Sequence, residues 1–166
     1  MNEYKISQAY RMPVGKPKPG ESPDVYKARR FLCQGRFLEE QIRQKVLMRE
    51  QLTELATATS AFVSGMPGKA LDPHRLDGLI ARMSDLDREI LAETNRMLTL
   101  QDDIQKALDR LNDPTRRLVL SMRYVNQTAF QEIADRLFLD ESTIYRQHRL
   151  GLEELGAMLP EEEEDS

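Results

Sequence analysis

Tryptophan is absent, and cysteine occurs once, at Cys33. A lone thiol cannot close an intramolecular disulfide, so no covalent staple of that kind holds the chain. No base stands where it would activate Cys33, which reads as an inert, buried thiol. No His or Cys lies at ligand spacing from Asp85/Asp87 or Asp102-Asp103, so these carboxylates read as solvated helix surface and no metal or cofactor is expected. The Gly65-Met66-Pro67-Gly68 stretch has neither the Lys-Ser/Thr pair nor the preceding strand of a phosphate-binding loop. No catalytic constellation is visible, and the chain reads as a non-enzyme. A secretory leader and an apolar run of membrane length are both lacking, which predicts a cytoplasmic protein with no membrane partner.

Excess positive charge is lacking too. The net charge is −4, which does not advertise a nucleic-acid ligand. Its distribution is uneven. Residues 1–30 hold seven Lys/Arg against three Asp/Glu, whereas residues 114–159 are balanced at six each. The sequence closes on Pro160 and EEEEDS, where like charges repel and solvate one another. This tail is a solubilising segment, or a mask competing with DNA for Arg146 and Arg149.

What is abundant is helical patterning, and the fold class it gives is all-α. Residues 1–21, with MPVGKPKPG, form a basic arm too rich in Pro and Gly to be regular. Ser22-Pro23 is a cap followed by proline at the first helical position. A long helix can follow as far as Val63, with Phe31, Leu38, Ile42, Leu52, Leu55 and Phe62 on one side, interrupted by Gly35 and Lys45. Asp72-Pro73 repeats the signal. From there Leu76, Met83, Ile90, Met97, Ile104 and Leu111 recur every seven residues, with Leu79, Leu86 and Leu100 as a second series that Glu93 interrupts. A stripe of that length must be covered. Residues 22–112 are therefore expected to form a long antiparallel, coiled-coil-like helical hairpin, with self-association (a homo-oligomer through the hairpin) as the alternative cover.

Residues 113–159 carry three more start signals. Asp113-Pro114 begins a first short helix, with Leu118, Met122 and Val125 as its apolar face. Thr128 and Gln131 form a capping box for a second helix from Ala129, with Phe130, Ile133, Ala134 and Leu137 inward. Asp140 caps a third from Glu141, with Ile144, Gly151, Leu152 and Leu155 inward. A short helix, a three-residue turn and a longer helix make a helix-turn-helix, whose last helix enters the major groove. Ser142, Arg146, Arg149 and Glu153 lie opposite Ile144, with Tyr145 flanking and Glu141 at the tip. His148 falls on the inner side as a hydrogen-bonded boundary residue.

The stretch resembles region 4 of bacterial sigma factors in Leu120 to Tyr124 (LSMRY), Phe130 to Ala134 (FQEIA), Leu137 and Asp140 to Tyr145 (DESTIY). From Tyr26 to Leu159 the chain also resembles small prophage proteins of Gram-positive bacteria, catalogued as phage transcription regulators of the sigma or ArpU type. The segments LATATSAFVSGMPG, LIARMSDLDREILAETNRMLTLQDDI and DPTRRLVLSMRYVN carry that likeness. Three positions depart from region 4. Phe138 stands where the turn usually has glycine, which requires a backbone without positive φ there. Glu141 replaces a basic residue at the helix tip, and Gln147 replaces an apolar one on the inner side.

These readings converge on a transcription regulator with double-stranded DNA as ligand. The base-contacting set is Glu141, Ser142, Tyr145, Arg146 and Arg149, with Arg146 suited to the N7 and O6 acceptors of guanine. Arg116, Arg117 and Thr128 are expected on phosphates. The region 4 likeness implies RNA polymerase as a second partner. The alternative is a helical interaction module that keeps the helix-turn-helix shape without binding DNA, favoured by the neutral charge of residues 114–159.

Overall fold

The computed structural model describes residues 16–65 and 73–160, with residues 62–65 and 73 described by backbone alone. Helices and short connections account for all of them, with no strand among the described residues. Residues 1–15 of the expected basic arm, residues 66–72, on which the expected chain reversal at Met66-Pro67-Gly68 falls, and the acidic tail from Glu161 lie outside that range. Five α-helices follow in order: α1 Pro23–Gly65, α2 Pro73–Asp109, α3 Pro114–Leu120, α4 Phe130–Leu137 and α5 Glu141–Met158. A π-helical turn, Ser121–Val125, prolongs α3.

The caps account for most of the boundaries. Ser22 Oγ accepts from Val25 N–H at 3.3 Å at the start of α1. Asp113 accepts from Thr115 N–H at 2.7 Å and Arg116 N–H at 3.3 Å, with Pro114 at the first helical position. Asp140 accepts from Thr143 N–H at 3.0 Å. These bonds satisfy donors that a helix N-terminus otherwise leaves unpaired. The expected capping box of Thr128 and Gln131 does not form. The cap of α4 is Ala129, which makes no side-chain bond. Gln127 takes a positive φ of 55°, and the following Thr128 is buried, its N–H donating to Met122 O at 2.9 Å.

The described residues form two compact units, one from residues before 38 and after 98, the other from 38 to 98. The sequence reading separates hairpin from C-terminal helices at residue 112. In the packing, residues 23–37 and 99–111 share a core with those helices. Ala28, Phe31 and Leu32 of α1, Ile104, Ala107 and Leu108 of α2, and Leu111 surround Leu120, Leu152, Leu155 and Leu159. Burying each leucine fully contributes about 1.5–3 kcal/mol. A second cluster joins Val119 and Met122 to Ile133, Ala134 and Ile144. Because α3 serves both clusters, its inward residues are Val119 and Leu120, and Leu118 is 46 % exposed rather than inward. Two glycines allow the close approach of α5. A Cβ at Gly151 would sit 3.0 Å from Leu120 Cδ1, and one at Gly156 would sit 2.0 Å from the carbonyl oxygen of Asp24.

In the unit of residues 38–98, α1 and α2 run antiparallel. Lys45 pairs with Glu89 and Glu93, Arg49 with Asp87, and Met48 Sδ lies 3.9 Å from Arg82. As the number rises in α1, the partner's number falls in α2. Leu38 and Leu86 are buried, and Ile42, Leu52, Met83, Ile90 and Met97 are half-buried along the seam. Leu55, expected on the apolar side, is 42 % exposed. Lys45 and Glu93, each an interruption in its own stripe, form a pair with each other.

Candidate nucleic-acid interface

Helix α5 carries its apolar residues on one side and a polar set on the other. Ile144, Gly151, Leu152, Leu155 and Gly156 are buried, while Glu141, Ser142, Tyr145, Arg146 and Arg149 are exposed. The structure thus brings the five expected base-contacting residues together on two turns of one helix. Arg149 is 70 % exposed in its side chain and stands 3.8 Å from Glu153. Ser142 Oγ donates to Asp140, so its hydroxyl is held by the cap. That bond, with two more from Thr143, lowers the Asp140 carboxyl to about 2 and keeps it charged.

An aromatic group positions Tyr145. Its ring lies 4.6 Å from that of Phe130 at the start of α4, and Phe130 meets His148 edge-on at 5.0 Å. The guanidinium of Arg123 covers Phe130 at 4.5 Å, and its Nη1 donates to Thr128 O at 3.1 Å. Such a cation over an aromatic face is worth about 0.5–1 kcal/mol where exposed and more where dry. His148 stacks on Tyr124, with the Tyr124 hydroxyl 3.0 Å from Nε2. Burial, followed by the cations of Arg123 and Lys18, lowers His148 to about 4, so the ring is neutral at physiological pH. Burial also pushes the Tyr124 phenol above its ordinary range. The phenol therefore keeps its proton and is hydrogen-bonded to a neutral ring.

The three expected phosphate contacts have internal partners. Arg116 binds Glu154 at 2.8 Å and donates to Gln147 Oε1 at 3.3 Å, tying α3 to α5. This bond explains how a polar Gln147 sits on the inner side of α5. Glu154 also accepts from Asn112 N–H at 2.8 Å, the main cause of its lowered carboxyl pKa. Arg117 donates to Asp109 O at 3.4 Å. Thr128 is buried. The half-buried Arg123 lies outside the set of residues that the sequence pattern singles out. It stands inside the LSMRY match, but its contact with Phe130 crosses a turn and leaves no periodic trace.

The turn before α5 departs from expectation. Phe138 has φ 54° and ψ 39°, in the left-handed region, and is 95 % exposed. Its N–H donates to Asp135 O at 3.4 Å and the next N–H, of Leu139, to Ala134 O at 3.0 Å. This closes α4 as a glycine would, at a strain cost a glycine avoids.

A family model described as "Protein of unknown function (DUF1492)" matches residues 73–156, about half of the chain. The chain belongs to the DUF1492 family. The match runs from the start of α2 into the last turns of α5, so the polar face of α5, Arg123 and Phe130 all lie within the DUF1492 region. No curated protein and no solved structure matches the chain.

Proposed function

We propose that this DUF1492 protein is a double-stranded-DNA-binding transcription regulator. In this reading α4 and α5 act as a helix-turn-helix of the sigma region 4 kind and α5 enters the major groove. The observation that carries it is the exposed run of Ser142, Tyr145, Arg146 and Arg149 on α5, with Ser142 and Arg146 on the side opposite the buried Ile144 and Leu155 and with Tyr145 on the flank nearer Leu152. An 18-residue helix braced along its whole inner side offers a rigid polar edge of the size the groove admits. Arg146 is the guanine reader. Tyr145, fixed by Phe130, suits a thymine methyl or a base edge. Arg123 holds a phosphate beside the start of α4, a role better suited to it than to the internally bonded Arg116. RNA polymerase as a second partner, and a prophage origin, rest on the sigma and phage-regulator likeness alone.

Selection of bound oligonucleotides at low salt from a random pool tests the reading. An enriched motif that narrows to one or two half-sites supports it. Retention of all sequences alike, or of none, favours the second reading, a helical interaction module. The balanced charge of residues 114–159 is the observation on that side, since counterion release then contributes little to binding.

A further inference from the structure

The antiparallel pair of residues 38–98 does not bury enough apolar surface to stand as a finished core. Among its described residues Leu38 and Leu86 are the buried apolar side chains. Two helices alone make one contact seam, and a domain core needs a further layer over the remaining apolar surface. On α2, Ile80 is 54 % exposed, Leu91 62 % and Leu98 60 %. Ile80 and Leu98 are 18 positions apart, which is five whole turns at about 3.6 residues per turn, and Leu91 falls within about 20° of the same line. The three therefore form a straight stripe about 27 Å long. It lies roughly 100° round the helix from the seam of Met83, Leu86, Ile90 and Met97. Val46 of α1, 37 % exposed, extends it. The pairing of Lys45 with Glu89 and Glu93, and of Arg49 with Asp87, puts Val46 level with Ile90 and on the flank of Asp87.

We infer that this stripe is the interface of a homodimer in which α2 packs antiparallel against α2 of a second copy. The pattern is self-complementary under a two-fold axis at the level of Glu89. Ile80 of one copy then meets Leu98 of the other, and Leu98 meets Ile80. The two Leu91 side chains lie on either side of the axis, offset by about 6 Å along the helix direction, within reach of each other. This reciprocal pairing is what an isologous interface requires. Charge points the same way. Asp87, the carboxylate facing Leu91 of the second copy, is neutralised by a two-pronged contact with Arg49 at 2.9 and 3.3 Å. Beside the stripe Arg88 is paired with Asp85. The charges at the middle of the stripe are thus paired within the chain, whereas a second copy supplies the apolar cover. The product is a four-helix arrangement with a core between two helix pairs.

Sedimentation velocity and light scattering of the full chain at micromolar concentration give the first test, and a dimer mass is expected. Leu91→Glu with Leu98→Glu should return a monomer with unchanged helical circular dichroism, because both side chains are already exposed in the single chain. A second measurement covers the case in which that variant fails to fold. In a Cys33→Ser background, Leu91→Cys alone should cross-link two chains on oxidation. Ile80→Cys should do so only when mixed with a Leu98→Cys chain. A wild-type chain that stays monomeric overturns the inference, as does a dimer that survives both glutamates. Cross-linking of Ile80→Cys to itself in preference to Leu98→Cys overturns the antiparallel register.

Discussion

Lys45 of α1 and Glu93 of α2 are hydrogen-bonded across the antiparallel pair, and Lys45 also lies 3.0 Å from Glu89. Each stands where the apolar series of its helix calls for a leucine. Their side chains are 27 % and 12 % exposed, and one oxygen of Glu93, Oε2, is buried without a partner. A semi-buried pair of this kind fixes register more than it adds stability, because desolvation offsets much of the attraction. Removing Glu93 leaves Lys45 its pair with Glu89, whereas removing Lys45 strands the more deeply buried Glu93 without a cation. Lys45→Leu alone should therefore destabilise by about 1–3 kcal/mol, and Glu93→Leu alone by less. Lys45→Leu with Glu93→Leu should recover most of that loss or exceed the wild type. Urea denaturation of Lys45→Leu, Glu93→Leu and the double variant measures the coupling, and additive losses would show that the two residues act independently.

Gly156 and Asp24 give a second prediction. The carbonyl of Asp24 occupies the space of a Cβ at Gly156, at 2.0 Å, and backbone cannot swing aside as a side chain can. Gly156→Ala should cost about 1–3 kcal/mol or more through the forced separation of α5 from the first turn of α1. Gly78→Ala is the control. Gly78 lies in α2 with nothing within 4 Å of its would-be Cβ, so alanine there should stabilise by up to about 1 kcal/mol. Thermal melts that rank the two the other way would contradict this packing.

Much of this fold was legible because its start signals are local. Ser22-Pro23, Asp113-Pro114 and Asp140 each need only their own side chain and the next few N–H groups, so sequence placed these three starts correctly. The exposed set on α5 was legible for a related reason: α5 buries one side only, and a 3.6-residue period describes it. The failures share the opposite property. A one-sided α3 would put Leu118 inward, whereas Val119 and Leu120 serve two clusters. Thr128 has the local pattern of a cap, and nothing local announces that Gln127 takes a positive φ. Phe138 was expected to avoid that region and does not, since the N–H bonds to Asp135 and Ala134 fix the turn whatever residue occupies it. The internal bonds of Arg116 join residues more than thirty positions apart and have no sequence signature.

The neutral, buried His148 predicts a pH dependence of stability. Its pKa is lowered to about 4 in the folded chain from an ordinary 6.5. Between those values the unfolded chain binds a proton that the folded one refuses. Stability therefore rises with pH through this window, is complete above about 6.5, and falls as pH drops towards 4. The groups facing His148 are Tyr124, which keeps its proton, and the cations of Arg123 and Lys18, so none supplies a compensating negative charge. The paired carboxylates Glu21 and Glu154 titrate lower, which leaves the interval from pH 5 to 6.5 mainly to His148. The wild type should lose on the order of 1–2 kcal/mol there, and His148→Gln should flatten that slope. Equal slopes in denaturant titrations of the two proteins would place the ring in water.

The last prediction separates base reading from phosphate holding within the proposed function. Arg146 is exposed on the second turn of α5, and its forked guanidinium matches the paired acceptors of guanine. Arg123 lies over the Phe130 ring and is anchored to Thr128 O, outside the reading helix, where it can meet the backbone of the duplex but no base edge. Arg146→Ala should cost about 1–3 kcal/mol on the selected site and flatten preference at one base position. Arg123→Ala should weaken all sequences alike and reduce the salt slope by about one. Phe130→Leu adds a third arm. It keeps an apolar side chain against the Val119 and Ile144 cluster but removes the ring that fixes Tyr145. It should blur preference at the position next to that read by Arg146, with the salt slope unchanged. Binding curves of the three variants on the selected site and on a scrambled duplex, at two salt concentrations, distinguish these outcomes. A base preference that survives Arg146→Ala would mean that α5 does not lie in the groove as placed. Loss of preference in Arg123→Ala would make that arginine a reader instead.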